Sequence, residues 1–138
     1  MKISTKGTYA VSIMTEIAKN ENSFTTVSVL SSTTGFSEKY LEQIVSKLLK
    51  AKLLLSFRGS NGGYKLAKHA NEISVGEILR ATEGNMKSVS CMEEGAACDL
   101  ASKCLTVNVW AGLNKVVNDY LNSVSLDDIV NKKIKVNN

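Results

Sequence analysis

The chain contains no proline, one histidine, one tryptophan and three cysteines in 138 residues. It also lacks internal repeats and low-complexity runs, so neither a solenoid nor an extended linker is expected. No apolar run approaches the roughly 18 residues of a membrane-spanning helix. The opening stretch "MKISTKGTYAVSIMTEIAKNENS" builds neither the apolar centre nor the cleavage site of an export signal. No membrane association is expected, and the expected compartment is the cytoplasm. Catalysis is also poorly provided for. There is no Cys–His pair suited to nucleophilic attack, no phosphate-cradling loop and no acid/base constellation. The sequence does not read as an enzyme.

What is present is ordinary in amount and uneven in placement. A chain 43% hydrophobic and 22% charged suits a soluble globular protein, and at this length it can bury a core without disulfides. The net charge of +4 conceals a split: residues 1–70 carry ten Lys/Arg against four Asp/Glu, whereas residues 71–138 carry seven against nine. A basic first half on an acidic second half fits a polyanion-binding module joined to something else.

Periodicity gives the organisation. Tyr9, Ala10, Ile13, Met14, Ile17 and Ala18 recur at helical spacing and predict a helix over residues 5–19. A Ser/Thr-rich segment over 27–34 predicts a short helix, which Gly35 breaks. Ser37 is a suitable N-cap for a stronger helix, in which Leu41, Ile44, Val45, Leu48 and Leu49 share one face. Lys39, Glu42, Gln43, Ser46 and Lys50 occupy the other. A short helix, a glycine turn and an amphipathic helix with a polar outer face form a helix-turn-helix pattern. The next stretch, "LLLSFRGSNGGYKLA" (residues 53–67), alternates Leu53, Leu55 and Phe57 before a Gly/Asn cluster and predicts a hairpin. Arg58 beside this tip suits a wing that lays backbone on phosphates and slides a guanidinium into the minor groove.

Ser74 and Glu77 have capping-box spacing ahead of the stripe Val75, Ile78, Leu79 and Ala81, and Gly84 ends that helix. From Leu105 the chain is helical again. Trp110, Leu113, Val117, Tyr120 and Val124 stand at steps of three, four, three and four, the rhythm of a coiled-coil seam, and predict a homodimer contact. Ser125 and Asp128 repeat a capping-box start before a polar tail. The expected fold is mainly α with a small β-hairpin wing. It comprises a winged helix-turn-helix over 1–84, a cysteine-bearing sensor loop over 85–104, and a dimerisation helix and tail over 105–138.

Taken together, "MKISTKGTYAV", "SEKYLEQIVSKLLKAKLL", "RGSNGGYKLAK", "ISVGEILRATEG" and "CLTVNVWAGLNKVVNDYLNSVSLDDIV" resemble the Rrf2 family of bacterial winged-helix transcription regulators, particularly its iron–sulfur members of the IscR type. The resemblance runs through nearly the whole chain in one register. It implies a homodimer on a pseudo-palindromic double-stranded DNA operator, with one recognition helix per subunit in the major groove. By that analogy Lys39, Glu42 and Gln43 face bases, and Tyr40 lies near the backbone. Arg58 enters the minor groove from a tip that includes Gly59, Asn61 and Gly62. The chemistry agrees: Gln pairs with adenine edges and Glu accepts from the cytosine amino group.

All three cysteines fall in "CMEEGAACDLASKC" (residues 91–104). Thiolates are the usual ligands of iron–sulfur clusters, and small residues between them let backbone amides approach the sulfides. The resemblance implies a cluster on Cys91, Cys98 and Cys104, 2Fe–2S in preference to 4Fe–4S; a missing fourth protein ligand would leave it labile enough to be absent from purified protein. IscR-type relatives place a histidine three residues after the last cysteine, where this chain has Val107. Other members draw an acidic residue from near the partner's N-terminus, where this chain has Thr8. Glu93, Glu94, Asp99 or a small molecule remain as fourth-ligand candidates. Structural zinc fits less well because its sites want four closed ligands. The family also includes cluster-free regulators, so control by a thiol switch, a metabolite or a protein partner is the alternative. In either case the sensor state would shift a two-state equilibrium that re-spaces the recognition helices.

Overall fold

Hydroxyl side chains set where the helices start. Ser4, Thr26, Ser37, Ser74 and Ser125 each accept a hydrogen bond from the backbone N–H three residues on, satisfying a donor that the helix itself leaves unpaired. In the computed structural model, which describes residues 2–84 and 105–136, these caps open five of the six α-helices. The order is α1 (Thr5–Lys19), α2 (Val27–Thr34), α3 (Glu38–Lys50), β1 (Leu54–Phe57), β2 (Gly63–Leu66), a 3-10 turn (Ala70–Glu72), α4 (Val75–Glu83), α5 (Val107–Ser123) and α6 (Leu126–Val130). The Ser/Thr-rich α2 is helical despite poor propensity because it is bounded on both sides. Thr26 caps its start, and Gly35, at φ 80°, closes its end in the left-handed conformation open to glycine.

One core joins the described elements other than α5. Ala10, Ile13, Met14 and Ile17 of α1 meet Leu30, Leu41, Ile44, Leu48, Ile73, Ile78 and Leu126, all fully buried. Leu126 belongs to α6, so the chain returns to its first helix after the long excursion through α5. Ser74 and Ser125 form an antiparallel bridge, Val75 donates to the Val124 carbonyl at 2.9 Å, and Leu126 donates to the Ile73 carbonyl at 3.0 Å.

The hairpin pairs Leu54 with Leu66, Leu55 with Lys65, Ser56 with Tyr64 and Phe57 with Gly63. The alternation of Leu53, Leu55 and Phe57 is only partly realised as burial. Leu53 and Leu54 are buried with Leu66, whereas Leu55 and Phe57 stay about half exposed. The reason is that the wing meets the core near its base, through the Leu54–Leu66 pair and part of Tyr64. Thr25 adds a third short edge by exchanging both backbone hydrogen bonds with Tyr64, at 2.9 and 2.8 Å. Gly63 permits this approach: a Cβ there would lie 2.7 Å from the Thr25 carbonyl oxygen. α5 rests on α4 through a similar device. A Cβ on Gly76 would lie 2.2 Å from the Asn122 amide oxygen, which accepts from the Arg80 guanidinium at 2.9 Å.

Candidate nucleic-acid interface

The candidate surface starts from α3. Leu41, Ile44, Val45 and Leu48 are buried, which turns Lys39, Glu42, Gln43, Ser46 and Lys50 outward as one exposed stripe. Three of these are the residues expected to read bases. The helix is held by an aromatic stack: the Tyr9 ring of α1 lies on Phe36 with centroids 3.6 Å apart, and Tyr40 meets Tyr9 edge-on at 5.7 Å. Tyr40 is thus half-buried on the flank of α3, not on its exposed stripe. The sequence places Tyr9 on the apolar face of α1 but does not foresee its stack on Phe36, for which two tyrosines at helical positions either side of Phe36 were the available signal.

The wing tip is a four-residue turn closed by Gly62 donating to the Gly59 carbonyl at 3.1 Å. Arg58 stands immediately before it and is exposed, as are Gly59 and Asn61, while Gly62 is half-buried against the Phe57 carbonyl. Gly59 at φ 120° and Gly63 at φ 145° take the positive φ angles, and Asn61 does not. Leu53 donates to the Leu48 carbonyl at 3.0 Å, so the wing is hinged directly on the end of α3.

Along α5 the burial is thin. Asn114 is its buried residue, and Trp110, Val117 and Leu121 are half-buried. Val109, Leu113, Val116 and Tyr120 remain 39–67% exposed at steps of four, three and four. Of the five residues expected at a dimer seam, Leu113 and Tyr120 lie on this exposed stripe. Trp110 and Val117 turn partly into the protomer, and half-buried Val124 lies just beyond α5, its carbonyl tied to α4.

Cys91, Cys98 and Cys104, with Glu93, Glu94 and Asp99, lie outside the described residues. Among the described residues no three His, Cys, Asp or Glu side chains converge as metal ligands. Val107 opens α5 with an apolar side chain, and the Thr8 hydroxyl donates to the Thr5 carbonyl of its own helix at 2.9 Å. The lone His69 is 83% exposed beyond the wing, its Nδ1 3.6 Å from Glu21.

The sequence matches the family described as "Rrf2: Iron-dependent Transcriptional regulator" over residues 3–132. The chain belongs to the Rrf2 family. The HTH-type transcriptional regulator IscR of Pectobacterium atrosepticum is 36% identical over 138 residues, spanning 99% of this chain and 84% of that protein. CymR (YrzC), the global cysteine regulator of B. subtilis, has a structure that superposes with TM-score 0.80 at 35% identity, across 96% of this chain and 98% of that one. The structure of IscR from T. potens superposes with TM-score 0.78 at 31% identity, across 100% of this chain and 94% of that one. Like its Rrf2 relatives, the chain is a DNA-binding transcriptional regulator with a winged helix-turn-helix, not an enzyme. Among its described residues no helix is long and apolar enough to cross a membrane.

Proposed function

We propose that this Rrf2-family protein is a cytoplasmic homodimer that binds a specific operator, and that an iron–sulfur cluster held by Cys91, Cys98 and Cys104 controls that binding. The observation that carries the DNA reading is the unbroken exposed stripe on α3, joined at the helix end to a wing that presents Arg58. Within it Lys39, Glu42 and Gln43 read base edges. Gly59, Asn61 and Gly62 let the tip approach the sugar–phosphate backbone, and Tyr40 steadies the helix from its flank. The exposed apolar stripe of α5 pairs with that of a second copy and sets the distance between the two reading heads.

Three thiolates suit iron, and they supply one ligand fewer than a cluster needs for closed coordination. Neither Val107 nor Thr8 makes up the difference, since one side chain has no donor atom and the other is engaged within α1. The cluster would supply the redox and iron sensitivity. In the sequence the three cysteines fall between α4, which packs on α1 and α3, and α5. Protein purified anaerobically is expected to be coloured and to contain iron and sulfide, and to lose both in a triple Cys→Ser variant whose operator affinity differs from that of wild type. Selection of bound sequences from random duplexes, with and without cofactor, would identify the operator.

One observation favours a second reading. The likeness to a global cysteine regulator, together with the two positions that lack a completing ligand, suits a cluster-free regulator of the same family, controlled by a thiol switch, metabolite or protein partner. Colourless, iron-free protein from anaerobic cells that still binds its operator would establish this alternative.

A further inference from the structure

The two flanks of the recognition helix differ in charge. Glu38 and Glu42 line one side of the exposed stripe, whereas Tyr40 and Lys47 line the other, where α3 faces the start of α1 and the end of α4. There Lys6 of α1 joins them in one open groove with Ser4 and Thr5. Both lysines are half-buried, unlike Lys39 and Lys50, so their aliphatic stems are already packed and their ammonium groups held near the groove. Lys47 Nζ donates to the Thr82 carbonyl at 3.4 Å, a long bond that a charged acceptor would readily replace. One carboxylate, Glu83, also lines the groove, but it is engaged by the backbone N–H of Ser4 at 2.6 Å and by the Ser4 hydroxyl.

We propose that Lys6 and Lys47, with the Tyr40 hydroxyl, form a clamp for one backbone phosphate of the duplex beside the major groove. A helix lying in that groove has a phosphate wall on either side, and contacts to such a wall fix register while carrying no sequence information directly. The acidic flank of α3 offers the opposite wall no such contact, so the clamp also determines which edge of the helix faces which strand. The assignment rests on the DNA-binding reading above and extends it to residues outside the base-facing stripe.

Binding of wild type, Lys6→Gln, Lys47→Gln and the charge-conserving Lys6→Arg and Lys47→Arg to a selected operator and to a mixed-sequence duplex, measured across a salt series, tests it. Both Gln substitutions combined are expected to flatten the slope of log affinity against log salt by about 0.9, so that raising salt from 50 to 200 mM costs wild type about 3.5-fold more than the double variant, and each single Gln variant should flatten it by a part of that. The loss should be equal on both duplexes and restored by Arg. Lys115→Gln on α5, an exposed lysine paired with Asp119, should leave the slope unchanged. An unaltered slope in the Gln variants, while Arg58→Ala still weakens binding, would overturn the clamp and leave the DNA reading standing. A loss confined to the operator would make these lysines base readers and overturn it equally. Wild-type protein that binds no duplex at low salt would overturn both.

Discussion

Phe24 and Phe57 meet across β2, their ring centroids 4.6 Å apart and their planes tilted by 51°. Gly63 pairs with Phe57 and leaves no side chain between the rings, while Lys65 sits 5.7 Å from the Phe24 centroid. The wing is therefore steadied from its solvent side as well as from its base. A double-mutant cycle of Phe24→Ala and Phe57→Ala is expected to show a coupling of about 0.5–1.5 kcal/mol in urea denaturation; additive losses would mean that the rings act independently. Gly63→Ala should cost about 1–3 kcal/mol, because φ 145° and the Thr25 backbone both oppose a side chain there.

Contacts that position and contacts that specify should separate by mutation. Arg58→Ala is expected to weaken operator binding by roughly 1–3 kcal/mol if the guanidinium enters the groove. Gln43→Ala should instead change base preference more than non-specific affinity. Selection from random duplexes with each variant distinguishes the two effects, and a uniform loss for Gln43→Ala would place it on the backbone.

The dimer seam can be assigned by its register on α5. Val116 is 67% exposed, whereas Val117 is half-buried in its own protomer. If Val109, Leu113, Val116 and Tyr120 form the seam, then Val116→Asp should dissociate the dimer as fully as Leu113→Asp in sedimentation velocity. A dimer that survives Val116→Asp but not Leu113→Asp would return the seam to the Trp110–Val117 register.

Acid should weaken the start of α4. Partial burial works against ionisation of Glu77, but the Ser74 backbone N–H, then Lys68 and Arg80, outweigh it and hold the carboxyl below its ordinary value of 4.5. A depressed folded-state pKa contributes stability that is complete above the unfolded value and disappears as pH falls through the folded one. Thermal melts of wild type and Glu77→Gln should therefore differ at pH 7 and converge as pH falls below 4.5 and through the folded-state value. Equal separation at all pH values would mean that the charge contributes nothing.

Local signals were legible in the sequence to the residue. The spans of α1 and α2, the Ser37 cap and the Ser74–Glu77 capping box all appear as expected, because a cap and its partner lie within three positions of each other. The exposed stripe on α3 was equally readable from its period. What the sequence left undetermined depends on distant partners. In "LLL" the phase of a two-residue alternation has no internal marker, and the choice of Leu54 as the inward residue is made by Leu66. The exposed apolar stripe on α5 carries Val109 and Val116 where the expected seam has Trp110 and Val117, because the contact of Asn122 with Gly76 and Arg80 helps decide which stripe faces α4. Lys6 and Lys47 are 41 positions apart, and no spacing rule joins them.

Leu126 has one more consequence. Its side chain completes a core whose other members mostly come from the first 80 residues. During synthesis the DNA-reading half must therefore wait, incompletely packed, until the chain has passed α5 and α6 has emerged to fill the remaining space. A nascent regulator cannot engage its gene with a finished reading head before α6 has also been made.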